Sequence, residues 1–135
     1  MKRKTKIVLL IVVLVLLACV LTGLIAFQSI QRNLNALVSM KMEDIPLDRV
    51  KDGVYAGEYS VFPVSAQVEV TVKGHAIASV RILEHRNGQG CAGEAVVSKV
   101  VESGSLQVDT VSGATYSSKV LLKAMENALR KGLVP

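Results

Sequence analysis

The chain has no tryptophan, three tyrosines and two phenylalanines, so aromatic side chains make up only 4% of its 135 residues. No basic block interleaves those few rings, which disfavours nucleic-acid binding. Cysteine is nearly as scarce. Cys19 lies inside a long apolar run and Cys91 far beyond it, so the two are not expected to pair, and a disulfide framework is excluded. His75 and His85, with one cysteine outside the run, do not make a metal-ligand cluster, and no zinc, iron–sulfur or haem motif is present. Internal repeats and low-complexity segments are absent as well. Acidic residues are missing from the first 42 positions, so the formal net charge of +5 is misleading. Four basic residues precede the apolar run. The remaining twelve face all eleven acidic ones, which leaves the rest of the chain near +1.

What the chain does have is an apolar run from Ile7 to Phe27 without a single charge. As a helix at about 1.5 Å per residue it spans roughly 31 Å, which matches a bilayer core. Lys2, Arg3, Lys4 and Lys6 precede it. Basic flanks stay on the cytoplasmic side, so the N-terminus is expected in the cytoplasm and the rest outside the cytoplasmic membrane. The length of the run and the apolar stretch Val20–Phe27 favour an uncleaved single-pass signal anchor over a cleaved signal peptide. They also favour it over a lipoprotein acylated at Cys19 of Leu16-Leu17-Ala18-Cys19. The expected organisation is a basic segment over 1–6, an anchor over 7–28, a stalk or linker over 29–52 and a domain over 53–135.

Gln28 to Met42 has Leu34, Leu37, Val38 and Met42 at helical spacing, and Glu43-Asp44-Ile45-Pro46 should end that helix. Gly53 to Ser60 reads as a strand. Val64 to Val72 alternates, with Val64, Ala66, Val68, Val70 and Val72 on one face. After a turn at Lys73-Gly74, His75 to Leu83 returns, with Ala76, Ala78, Val80 and Ile82 expected inward. A glycine-containing loop then spans Glu84 to Gly93. Glu94 to Glu102 has helical spacing and is stopped by Gly104. Ser105 to Val108 reads as a short extended segment, and Lys119 to Lys131 as part of an amphipathic helix. The fold class is α+β: an N-terminal transmembrane helix, then a small antiparallel sheet covered by two helices.

The most informative stretch is Asp109-Thr110-Val111-Ser112-Gly113-Ala114-Thr115-Tyr116-Ser117-Ser118. Small, hydroxyl-bearing residues here feed a helix start. A helix start presents unpartnered N–H groups and the positive end of a dipole, so phosphate is a reasonable guest. The plainer alternative is that Ser117 or Ser118 caps the helix. Asp109 can equally form an Asx turn. The pattern Asp109-x-x-Ser112-Gly113-Ala114-Thr115-x-Ser117-Ser118 resembles the flavinylation motif of the FMN-binding domain family. That family includes flavin subunits of sodium-pumping NADH:quinone reductase and of Rnf-type complexes. The resemblance covers roughly Gly53 to Gly132. It implies FMN joined to Thr115 by a phosphoester, installed by a flavin transferase that uses FAD and Mg²⁺. Ser112, Gly113, Ala114, Tyr116, Ser117, Ser118 and Asp109 would surround the phosphate and ribityl chain.

The resemblance also implies a second flavin-facing loop, here His85, Asn87, Gly88 and Gly90. The large-complex relatives usually carry Glu-Thr-Pro-Gly in that place, whereas this chain has Arg86-Asn87-Gly88-Gln89-Gly90. That departure suits the small stand-alone branch. A solvated loop histidine at His85, a core tyrosine at Tyr116 and a small buried apolar residue at Cys91 are the readings without flavin. The expected function is a membrane-anchored, extracytoplasmic electron-transfer relay, with the lipid bilayer and membrane electron-transfer proteins as partners. No catalytic residue and no metal ligand is expected in the chain. The alternatives are an anchored binding or assembly module without covalent flavin, and a reductase of a small external substrate. The last would need a proton-donor constellation that the sequence does not show.

Overall fold

The computed structural model describes residues 2–86 and 92–135; Asn87, Gly88, Gly90 and Cys91, singled out above, lie outside the described residues. A helix α1 runs from Arg3 to Ser39. Three strands follow, β1 (Gly53–Val61), β2 (Val64–Lys73) and β3 (Ala76–Arg86), and then α2 (Ala95–Ser103) and α3 (Thr115–Lys131). Short 3₁₀ turns occupy Leu47–Arg49 and Ala92–Glu94. The chain divides into two compact units, one ending at Arg32 and the other running from Asn33 to Pro135.

The first unit is the apolar helix. No residue of its most hydrophobic stretch is buried, and side chains such as Leu10, Leu17 and Ile25 are about as exposed as a lone helix allows. It is long and apolar enough to cross a membrane, as a single-pass anchor would.

The second unit is an α+β layer. Its antiparallel sheet has the order β1-β2-β3. Val64, Ala66, Val68, Val70 and Val72 of central β2 are buried under α3, and Ser65, Gln67, Glu69 and Thr71 face the other way. α3 packs across β1 and β2, while α2 packs on β3 and against α3. The closest approach is at Gly57 of β1, where an added Cβ would lie 2.1 Å from the Ala124 carbonyl and 2.5 Å from the Ala128 nitrogen. Only hydrogen fits there.

The β2–β3 hairpin closes through Gly74 and His75, with φ of 61° and 59°. Two successive positive φ angles match the twist of a two-residue hairpin. The neighbouring Asp52 carboxyl is held below the usual carboxylate range, first by the Gly74 backbone N–H and then by that of His75.

Strand β3 departs from strict alternation. Irregularities opposite Gln67/Val68 and Thr71/Val72 insert one extra residue each, at Leu83 and Ala78. Each insertion reverses which face the following side chain takes. The expected inward pair Ala76 and Ala78 is therefore exposed, and Ile77 is buried in its place. Val80 and Ile82 keep their inward direction between the two bulges. The second bulge turns the His85 side chain inward, to 2% exposure. No strand forms over Ser105 to Val108. There the Ser103 and Ser105 hydroxyls take part in local bonds, including Ser105 N–H to Ser103 Oγ at 3.3 Å and Gln107 N–H to Ser105 Oγ at 3.0 Å. Such bonds offer the backbone an alternative to a ladder. Gly104 does end α2, with φ of 67° and its N–H on the Val100 carbonyl.

The stretch expected as linker, 29–52, contributes Leu37, Ile45 and Val50 to the core of the second unit. Val50 bridges to Leu133, and Lys51 N–H donates to the Gly132 carbonyl at 3.0 Å, so the end of the chain closes beside the entry to β1.

Candidate functional site

The hydroxyl-rich stretch folds as a tight turn running directly into α3. Ala114 N–H donates to the Val111 carbonyl at 2.9 Å, and Gly113 between them has φ of 77°. That conformation strains any residue with a Cβ, which accounts for glycine here. Thr115 is the first residue of α3, and the N-cap position falls on Ala114. Alanine has no side-chain oxygen, and among the described residues no side-chain capping bond is made at this helix start. The first-turn N–H groups point to the end where the dipole favours negative charge, so they can serve an external acceptor.

Ser117 and Ser118 both lie inside the first turn, so neither is the N-cap. Ser118 is fully buried. Its Oγ donates to the Ala114 carbonyl at 2.8 Å and accepts the Val111 N–H at 3.0 Å. It braces the turn from within. Ser117 is 4% exposed, and Gly93 packs so tightly on it that an added Cβ would lie 2.4 Å from the Ser117 Cβ. The predicted residues thus separate into two sets. Ala114, Ser117 and Ser118 are enclosed. Ser112 and Gly113 are exposed, and Thr115 and Tyr116 are partly so. Asp109 is exposed, and its carbonyl accepts from Lys99 Nζ of α2 at 3.3 Å.

His85 lies in β3, one residue before its end, and is not a solvated loop residue. Its Nδ1 donates to Glu94 Oε1 at 3.1 Å, across the segment 87–91. Glu94 follows Gly93, the residue packed on Ser117. The structure therefore brings His85 and the start of α3 to either side of one 3₁₀ turn.

Sequence reasoning missed several residues that hold this arrangement. Glu126 is fully buried on α3. Lys123 Nζ and Arg130 Nη2 reach its Oε1 at 2.7 and 2.9 Å, and Glu43 N–H reaches its Oε2 at 3.1 Å. Arg130 also pairs with the Glu43 carboxylate. A carboxylate so deep requires such partners. Its place between Met125 and Leu129 on an apolar helix face is the sequence signal that could have marked it. Two further bonds fix the same segment: Lys119 Nζ donates to the Met40 carbonyl at 2.6 Å and Gln107 Nε2 to that of Met42 at 2.8 Å. Gly93 and Glu94 carried no such signal, because their contacts are long-range.

Fold and site together define a small α+β domain, preceded by a membrane-type helix, that presents an accessible hydroxyl on an uncapped helix start. Such a site suits a ligand that bears phosphate. The model of the FMN-binding domain family matches residues 63–130, half of the chain, and the chain belongs to that family. Among curated proteins none matches it. The geometry fits FMN. Thr115 offers a reachable oxygen, the first-turn N–H groups offer donors, and a depression of about 290 Å³ beside them is lined by Val38, Gly113, Thr115 and Tyr116. Its volume lies just below the usual range of ligand pockets, so it can seat only part of such a ligand. Among the described residues no cluster of metal-ligating side chains occurs.

Proposed function

We propose that the protein carries FMN covalently on Thr115 and serves as a membrane-anchored electron relay outside the cytoplasmic membrane. The observation that carries this reading is the placement of Thr115: partly exposed, first in α3, and directly after an N-cap residue, Ala114, that makes no side-chain capping bond. Attachment would exchange the phosphoanhydride of FAD for a phosphoester to threonine. The Thr115 oxygen bonds to the FMN phosphorus of FAD, the pyrophosphate bond breaks, AMP leaves, and the hydroxyl proton passes to solvent. Unaided, a threonine hydroxyl is a weak nucleophile. Activation is therefore assigned to a flavin transferase with Mg²⁺, and Thr115 is an acceptor and not a catalytic residue.

Once bound, FMN supplies one- and two-electron redox chemistry. The chain supplies position. Gly113 gives the turn its shape, Ser118 braces it, the α3 start binds phosphate, and Ser112 is an exposed hydroxyl next to Gly113. The basic N-terminus supports a cytoplasmic start, with the domain outside and membrane electron-transfer proteins as donor and acceptor.

The test is the intact mass of the full chain, produced with and without a flavin transferase. Wild type is expected to gain one FMN less one water and a yellow colour that survives denaturation. Thr115→Ala is expected to gain neither. No gain in wild type beside an active transferase would refute covalent attachment.

A further inference from the structure

We infer that the end of α1, which lies outside the stretch matched by the family, forms one wall of the seat for the flavin ring. This rests on the covalent reading above. The depression beside Thr115 is bounded by Tyr116 and Gly113 of the motif and by Val38 of α1, all within the unit that begins at Asn33. Two flanks of the α3 start are open to comparison. On the flank toward the 3₁₀ turn, Gly93 is packed on Ser117 and leaves no room for a ring. Gly113, which lines the depression together with Val38, has no described atom within 4 Å of where a Cβ would stand. Among the described residues the open space at the α3 start is thus bordered by α1.

The wall is held in place and is not a passing neighbour. Leu37, next to Val38, is fully buried, and Leu34 packs on the same core. Immediately after it come the Lys119–Met40, Gln107–Met42 and Glu126–Glu43 bonds. The first and third of those bonds fix the segment against α3, the helix whose first residue is Thr115, and the second fixes it against the chain that leads into α3. Val38 itself remains 44% exposed, an apolar side chain only partly covered by protein. The isoalloxazine has an apolar dimethylbenzene edge and a polar pyrimidine edge. Val38 and the Tyr116 ring suit the apolar edge, at the end of a five-carbon ribityl chain that starts from the phosphate on Thr115.

The experiment uses the full chain in detergent micelles, produced with a flavin transferase, as wild type, Val38→Asp, Val38→Ala and Ala36→Asp. Ala36 is also exposed but does not line the depression. Intact mass is read first, and then quenching of the flavin fluorescence by neutral acrylamide. All four chains should carry FMN. In Val38→Asp the quenching constant should rise about two-fold, because a ring between two walls loses one of them. Val38→Ala should rise less, and Ala36→Asp should match wild type. Flavin-loaded Val38→Asp and Val38→Ala chains that both quench like wild type would overturn the seat while leaving attachment at Thr115 intact. A wild type without added mass would remove the covalent reading itself, and the mass spectrum reports that separately.

Discussion

Replacing Ser118 by alanine should loosen the acceptor turn without touching the acceptor. The hydroxyl makes two bonds, and their losses are unequal. The Ala114 carbonyl keeps a partner, because Ser118 N–H also donates to it at 3.0 Å. Val111 N–H loses the acceptor it has at 3.0 Å in a partly buried place. Leaving such a donor unpaired costs about 1–3 kcal/mol. Alanine is the better helix former by up to roughly 0.7 kcal/mol, which offsets part of this. The net loss is then about 1–2 kcal/mol. For a unit of this size that lowers Tm by roughly 4–16 °C. Calorimetry of the full chain in micelles reads the shift, and hydrogen exchange should show loss of protection at the Val111 amide in particular. Ser112→Ala, at an exposed position of the same turn, should stay within about 0.5 kcal/mol of wild type. A Ser118→Ala chain that melts within about 1 °C of wild type, with the Val111 amide still protected, would refute the bracing role.

Two further substitutions probe the frame behind the site. Gly57→Ala forces a methyl against the Ala124 carbonyl, so α3 must lift from the sheet; denaturant unfolding should show a loss of about 1–3 kcal/mol or more, and no loss would contradict the close approach. Glu126→Ala strands Lys123 and the Glu43 N–H and leaves Arg130 with the Glu43 carboxylate alone. Removing a buried partner costs about 3–5 kcal/mol, less here because Lys123 and Arg130 are partly exposed, so about 2–3 kcal/mol is expected from chemical denaturation.

Periodicity was enough for the parts of this protein whose burial is regular. The apolar run, β2 with its unbroken alternation, the tight turn before β3 and the amphipathic α3 all follow from residue spacing and turn chemistry. The motif around Thr115 was visible because its residues are contiguous. What spacing could not show is a change of phase. The extra residues at Ala78 and Leu83 each reverse the side-chain direction, and nothing in the composition of β3 marks them. That is why Ile77 replaces its neighbours in the core and why His85 turns inward. Contacts between distant segments are hidden in the same way. Val38 reads as part of a stalk until the fold sets it beside Gly113 and Tyr116. The split among the motif hydroxyls, with Ser118 enclosed and Thr115 reachable, depends on where the helix starts to within one residue.

The three bonds from α3 and its approach to Met40, Met42 and Glu43 decide where this protein can be cut. A fragment begun at Gly53, where the sheet starts, would lack Leu37, Ile45 and Val50 and would open the core that encloses them. It would also leave the buried Glu126 facing Lys123 and Arg130 with no chain across them. The smallest piece that keeps its own interior closed begins near Asn33, twenty residues before the first strand.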